Sequence, residues 1–417
     1  MTSYQHALAI TSQFPFCSIP FRLDSFSECQ FSCRYCFASS RGGFTGERHI
    51  RVAEPTLLDR RLCFLASNEP RSIIDELLAA RVPLHFGGMS DPFMPMERRT
   101  RTTLAFLRVL QKHRYPTIIS TKSTLCAEAP YIQLLSSGSF HIQVSIPIAA
   151  DSLGRVLDAG APAPSARFNL LSALRRAGIR TTCRIQPILP TYEHEAFKIV
   201  KLATDAGAQH LAFEYLKLPI EANSPVVRRL VASLGHDFVA NYRTLHSTRI
   251  GREWVLPANV RLPHILELRR AVWSSGLTFG AADNDLLPLS DGYSCCSGAD
   301  LLGFDTTYRF TYTQAVHAAK QGVIRFSDIA HEWRPTRTIQ RFINSRSRYK
   351  SSSVEEYIRT RWNGRNNGPS PEMFYGINRT PDYDDAGLSI YRITDALAPL
   401  LRERPQSTRA RTGPVAR

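Results

Sequence analysis

Short runs of alternating apolar and polar residues take turns with longer stretches of helical period through the first half of the chain. Residues 21–26 alternate, which predicts a first strand. Helical patterns follow at 55–67 and 71–81, the first with Pro55 near its start, where a missing N–H costs little. A second strand is predicted at 83–88, ending in Gly87-Gly88-Met89-Ser90-Asp91-Pro92. The helix after it, 97–113, puts Leu104, Leu107 and Leu110 on one stripe. Strands at 116–122, 140–148, 181–189 and 210–218 alternate with helices at 128–137, around Phe168, Leu171 and Leu174, and at 196–206. Gly138, Gly178 and Gly207 stand at helix-stop positions.

Six strands alternating with helices predict a parallel α/β sheet. Six units rather than eight predict a partial (β/α)6 barrel, open on one side, with its chemistry at the C-terminal ends of the strands. Beyond Pro219 the repeat is lost. Helices are predicted at 226–245, 262–274, 313–321 and 336–344, with Cys295-Cys296 in a loop between the second and third. This reading divides the chain into an N-terminal segment (1–19), a barrel core (20–220), a mainly helical extension (221–400) and a polar, basic tail (401–417) expected to be disordered.

Composition narrows the class. The 417 residues are 43% apolar, enough for a sizeable core, and no apolar run reaches the length of a membrane span. Residues 1–20 lack a charged start followed by an apolar run, so no secretory signal is expected. Nine Cys at irregular spacing do not read as a disulfide framework, and reduced thiols argue for the cytoplasm. The net charge is +16 and almost all of the positive charge is Arg. That excess is compatible with a DNA or RNA partner. Residues 334–365 place Trp333, Tyr349, Tyr357 and Trp362 in or beside many Arg, a composition that suits single-strand binding by charge and stacking, or else a helical cap with its aromatics inward.

The candidate chemistry lies in Cys29-Gln30-Phe31-Ser32-Cys33-Arg34-Tyr35-Cys36-Phe37, directly after the first strand. A loop this short keeps all three thiols within reach of one centre. Three thiolates suit a soft metal. An iron–sulfur cubane is normally closed by four Cys, so three leave one iron for a small molecule. A structural zinc site is the other reading. It needs a fourth ligand, and Cys17, His49 or Cys63 could supply one. Lys122, one of only seven lysines, ends the third strand, and Ser145 lies at the corresponding level of the fourth.

The cysteine loop resembles that of the radical S-adenosylmethionine (SAM) superfamily. The resemblance implies that Cys29, Cys33 and Cys36 hold a [4Fe–4S] cluster whose open iron takes the amino and carboxylate groups of SAM. Gly87-Gly88 resembles the superfamily's Gly-Gly-Glu segment, with Met89 in place of glutamate, so a contact there falls to the backbone, Ser90 or Asp91. Gly-Met-Ser-Asp-Pro, Thr121-Lys122-Ser123, Val144-Ser145-Ile146, residues 161–167 and the 184–190 segment with Arg184 together resemble the spore photoproduct lyase-related branch, many of whose members are labelled DNA repair photolyase. That likeness covers about residues 20–220. It implies SAM contacts from Lys122 and Ser145, and Arg184 is taken with them. It also implies an electron donor such as a flavodoxin or ferredoxin. The branch carries a hydrogen-donor Cys just after strand two, where this chain has none. Cys126, four residues past Lys122, is the candidate donor; Cys183, Cys295 and Cys296 are further ones. The expected function is reductive cleavage of SAM to a 5′-deoxyadenosyl radical that takes hydrogen from a substrate, with nucleic acid in view. The alternatives are the same chemistry on a peptide or small metabolite, and a non-enzymatic nucleic-acid-binding protein stabilised by zinc or a cluster.

Overall fold

Eight strands make one sheet in the order β1-β2-β3-β4-β5-β6-β7-β11 in the computed structural model, which describes residues 4–11, 13–39, 49–221, 223–337, 353–364 and 369–403. Strands β1 (Leu8–Ile10) and β2 (Phe21–Leu23) pair antiparallel. From β2 onward all neighbours are parallel: β3 (Leu84–Phe86), β4 (Thr117–Thr121), β5 (Phe140–Ser145), β6 (Arg180–Ile188), β7 (His210–Tyr215) and β11 (Thr278–Ala281). The six predicted strands are all present, in sequence order. Two more join them from outside residues 20–220, β1 before and β11 after, so the sheet draws on both flanking segments. The edges β1 and β11 do not pair with each other, and the barrel is open. Two small sheets follow, one joining β8 (Leu218–Pro219) at the end of the core to β9 (Thr248–Ile250) and β10 (Glu253–Val255) of the extension, the other made of β12 (Val323–Ile324), β13 (Ile377–Tyr383) and β14 (Ser389–Ile393).

The crossover helices are α1 (Pro55–Leu65), α2 (Ile73–Ala79), α3 (Glu97–Thr100), α4 (Thr102–Lys112), α5 (Tyr131–Ser137), α6 (Asp151–Leu157), α7 (Pro164–Arg176) and α8 (His194–Asp205). The single helix predicted at 97–113 is broken at Arg101, whose φ is +53°. Buried Glu97 explains the break: its carboxylate accepts from Thr103 N (2.8 Å) and Leu104 N (3.0 Å), capping a new helix start. The helix predicted at 226–245 is likewise two, Pro225–Leu234 and Phe238–Thr244, parted by Gly235 at φ +63°. Most of the helix predicted at 336–344 and the tail beyond residue 403 lie outside the described residues.

Paired strand residues share a face, so register sorts the side chains. Ile119, Ile142, Val144, Cys183, Leu211, Phe213 and Phe279 belong to the main apolar cluster, which also takes in Leu170, Leu171 and Leu174 of α7. The other face is polar: His85, Ser120, Gln143, His141, Thr182, Arg184 and His210. There Ser120 Oγ meets His85 Nε2 (2.8 Å), Gln143 Oε1 (3.1 Å) and Arg184 Nη1 (2.8 Å). The loop after β11 covers part of this face. His210 Nε2 donates to the Cys296 carbonyl (2.9 Å), and Ala299 and Phe304 pack on Ile19 and Ile118.

Burial in this layer has a consequence for acid stability. His141 is fully buried, and burial, then the nearby charges of His210 and Arg180, pushes it down to about 3 from 6.5. Between those values the unfolded chain binds a proton that the folded chain refuses. The stability contributed by neutral His141 is therefore complete above about pH 6.5 and is lost as pH falls toward 3. Urea unfolding is expected to show a falling midpoint from about pH 6.5 to pH 4, with a shallower fall for His141→Gln. Some slope remains in the variant, because His85 and His210 are shifted the same way. Parallel curves for the two proteins would place the acid sensitivity elsewhere.

Candidate active site at the strand ends

Three strand ends are stitched together below the cysteine loop. Asp24, just past β2, is buried, and its Oδ1 accepts from Met89 N (2.7 Å) and Ser90 N (3.1 Å) past β3. Ser90 Oγ donates back to the Phe26 carbonyl (2.8 Å). Asp91 accepts from Phe93 N (2.9 Å), Thr121 Oγ1 (2.8 Å) and Lys122 N (2.6 Å), tying the end of β3 to the end of β4. Burial pushes the Asp91 carboxyl up to about 6 in spite of those bonds. Ser90 and Asp91 thus spend their polar atoms on the scaffold.

Gly87 and Gly88 also answer to the scaffold. Gly87 has φ +91°, and a Cβ there would lie 2.6 Å from the Ser120 carbonyl; one on Gly88 would lie 2.9 Å from Arg22 Cδ. The absent side chains let β3 turn sharply against its neighbours.

The cysteine loop is anchored on two sides. Phe31 is buried with Phe26 and Met94, and Cys29 and Cys33 pack against that group. Gln30 Oε1 accepts from Met96 N (2.7 Å). On the other side Arg34 N donates to the Leu157 carbonyl (2.8 Å) and Gly160 N to that of Phe31 (3.0 Å). A Cβ on Gly160 would meet the Phe31 backbone at 2.9 Å, so only glycine fits this approach. Cys29, Cys33 and Cys36 are partly exposed, and none is in a disulfide. Burial, then the Asp91 charge, pushes the Cys29 thiol up to about 12; burial raises Cys33 too, against the pull of Lys122. Among the described residues, the groups whose ligand atoms all lie within 4.8 Å do not include these three sulfurs.

Beside the loop lies a knot of charge. Lys122 Nζ is 2.7 Å from Tyr35 Oη and 3.4 Å from Asp158 Oδ2. Tyr35 Oη donates to Asp158, and Arg167 Nη1 reaches Asp158 Oδ2 (2.7 Å) and the Ser145 carbonyl (2.8 Å). Burial alone would raise the Asp158 carboxyl. The charges of Lys122 and Arg167 and the Tyr35 hydroxyl outweigh it and hold the group below the usual carboxylate range. The register places Lys122, Ser145 and Arg184 at one level: Thr121 pairs with Val144, and Ser145 pairs with Arg184. Ser145 is partly exposed. Arg184 turns onto Ser120 and Gln186, and burial lowers its pKa.

Tyr35, Asp158 and Arg167 were not singled out in the sequence as site residues. Arg167 left a trace there: at i, i+4 and i+7 with Leu171 and Leu174, it is a charge on an apolar stripe. Asp158, the residue that closes α6, left none.

The remaining cysteines fall elsewhere. Cys126 is fully buried in the main apolar cluster, its thiol 3.7 Å from the Ser123 carbonyl. Cys183 is core on the apolar face. Cys17 Sγ lies 3.5 Å from Cys295 Sγ, which Ser18 Oγ also approaches at 3.4 Å, and Cys296 is close by. Cys63 is exposed on α1 and Cys17 lies against Cys295; His49 is exposed, and its neighbour Ile50 packs on the same Phe26, Phe31 and Met94 group as Cys29 and Cys33.

Of the aromatics near the C-terminal arginines, Tyr357 and Trp362 are buried, and Trp362 Nε1 donates to the Ser389 carbonyl (2.7 Å). Arg334 pairs with Glu355 (2.6 Å). These two aromatics are core, as an inward-facing cap requires; Trp333 is exposed, and Tyr349 lies outside the described residues. Among the described residues no helix is long and apolar enough to cross a membrane.

No protein-family model matches the chain. Over 180 residues it is 26% identical to an uncharacterized protein of Mycobacterium tuberculosis (strain ATCC 25618 / H37Rv) and to one of Mycobacterium bovis (strain ATCC BAA-935 / AF2122/97), covering 42% of this chain and 51% of each of theirs. The chain spans about half the length of these curated relatives. Among solved structures it is similar to a spore photoproduct lyase complexed with dinucleoside spore photoproduct, with 14% identity, a TM-score of 0.49 and coverage of 64% of this chain and 78% of that one. It is also similar to SuiB of Streptococcus suis bound to S-adenosylmethionine, with 13% identity, a TM-score of 0.37 and coverage of 55% and 49%.

Proposed function

We propose that the chain is a radical SAM enzyme that holds a [4Fe–4S] cluster on Cys29, Cys33 and Cys36. The observation that carries this is the loop itself: three partly exposed thiols, anchored on both sides, at the C-terminal end of a parallel strand and next to the Lys122 cation. Those residues would hold the cluster, which, reduced by an external electron donor, would supply one-electron reductive cleavage of SAM. The chain's own part is to bind and orient. Lys122 and Arg184, level with Ser145, offer positive charge to the SAM carboxylate. Gly87 and Gly88 hold the strand end where its backbone can meet the amino group. Asp24, Ser90 and Asp91 keep that end rigid, and Phe26, Phe31 and Met94 shield one side of the thiols from water.

The test is anaerobic reconstitution with iron and sulfide, followed by an absorbance spectrum and an assay for 5′-deoxyadenosine with dithionite and SAM. A broad brown absorbance and SAM cleavage support the reading; a colourless protein with tightly bound zinc sinks it.

The net charge of +16 favours nucleic acid as the substrate class. Binding to a single-stranded oligonucleotide is then expected to weaken steeply as salt rises, because released counterions supply the drive. Absence of binding at low salt would move the substrate to a peptide or metabolite.

A further inference from the structure

A second metal-ligating group lies on the outer helical layer, apart from the cysteine loop. Asp59 and Cys63 stand four residues apart on one face of α1, and His113 closes the C-terminal end of α4 beside them. His113 Nε2 lies 2.7 Å from Asp59 Oδ1, and Cys63 Sγ lies 3.9 Å from each. Among the described residues this is the group whose ligand atoms all fall within 4.8 Å of one another. A triangle with those sides has a point about 2.1 Å from all three corners, close to zinc's distances to nitrogen, oxygen and sulfur.

A cation already occupies this corner. Lys112 Nζ bonds both Asp59 oxygens (2.8 and 3.0 Å) and lies 3.8 Å from Cys63 Sγ. The hydrogen bonds from Lys112 and His113 hold the Asp59 carboxyl below the ordinary range, so the group is ionised and attracts positive charge. The Lys112 side chain is 56% exposed and can swing into solvent with little loss of packing.

We propose that Asp59, Cys63 and His113 form a zinc site that clamps α1 to α4, with Lys112 as an internal cation that the metal displaces. Binding requires the Cys63 thiolate and a neutral His113 whose remaining proton sits on Nδ1, so the thiol proton leaves to solvent, the Nε2–H bond to Asp59 is given up, and affinity rises with pH. Three protein ligands leave the fourth position to water. The site is independent of the proposed SAM chemistry and contributes stability in proportion to its occupancy.

Cobalt(II) is the probe, titrated into the full-length chain carrying Cys29→Ser, Cys33→Ser and Cys36→Ser, so that the loop cannot compete. One equivalent is expected, with a thiolate-to-cobalt absorption band that zinc abolishes on displacing it. Cys63→Ser in that background is expected to lose the band, and His113→Ala to weaken binding roughly tenfold or more. Lys112→Ala should tighten binding several-fold, a change that a mere salt-bridge cluster would not produce. The same titration on the cluster-loaded native chain, with and without Cys63→Ser, covers the case in which the triple background fails to fold. A band that survives Cys63→Ser, no band at all, or an unchanged affinity in Lys112→Ala overturns the proposal. None of these outcomes depends on whether SAM is cleaved.

Discussion

Replacing Cys29, Cys33 or Cys36 with Ala, one at a time, is expected to remove the bound iron and to reduce SAM cleavage below detection. On the proposed reading each thiolate is one of three protein ligands in a site with no spare local thiol. Cys17 lies against Cys295, Cys63 sits on the outer face of α1, and Cys126 is in the apolar core. The loop is also tied to residues 157–160 and to Met96, and its thiols stay protonated without metal because burial raises Cys29 and Cys33. Metal binding therefore couples to loop order, and solubility should fall in the variants as well. The measurement is iron and sulfide content after anaerobic reconstitution, with 5′-deoxyadenosine formation as the second readout. Lys122→Met is the contrasting variant. It should keep the iron and weaken SAM binding by roughly tenfold, because a carboxylate loses a charge-assisted partner. A single Cys variant with full iron and undiminished SAM cleavage would mean that the ligands have been misassigned.

Arg167→Leu is expected to destabilise the fold by roughly 3–5 kcal/mol, the cost of breaking a buried ion pair from one side. Arg167 is fully buried, and its guanidinium bonds Asp158, the Ser145 carbonyl and the Pro162 carbonyl. Leucine leaves Asp158 with Lys122 and Tyr35 alone and two carbonyls without their donor. The loss is a large share of a typical domain's stability. Asp158→Asn in the same background should recover part of it, since the uncompensated carboxylate is then gone. A double-mutant cycle in urea measures that coupling, and purely additive effects would show that the two residues do not act as a unit. Because Asp158 also receives Lys122, the Arg167 variant should bind SAM less tightly even where it remains folded.

The difference between these two predictions follows what a sequence can carry. The cysteine loop and the alternation of strand and helix were legible because their signals are local. Spacing of four and three brings thiols together whatever surrounds them, and a period of two or 3.6 reflects which face must be buried. The six core strands came out in order for that reason. The edge strands did not. β1 and β11 are three and four residues long, and only their pairing with β2 and β7 makes them strands.

The helix break at Arg101 depended on a partner as well. The buried Glu97 carboxylate accepts from Thr103 N and Leu104 N and so starts a new helix, and no periodicity announces this. The site divides in the same way. Sequence alone determined the three thiols, the glycines at the end of β3, and Lys122 and Ser145 at one level of neighbouring strands. Only the tertiary structure decided that Ser90 and Asp91 serve the scaffold and that Cys126 is shut in the core. It also decided that Asp158 and Arg167, nine residues apart on a loop and a helix, converge on Lys122 and Tyr35. Buried charges are set by long-range neighbours, and their positions follow from the packing of whole elements rather than from any local pattern.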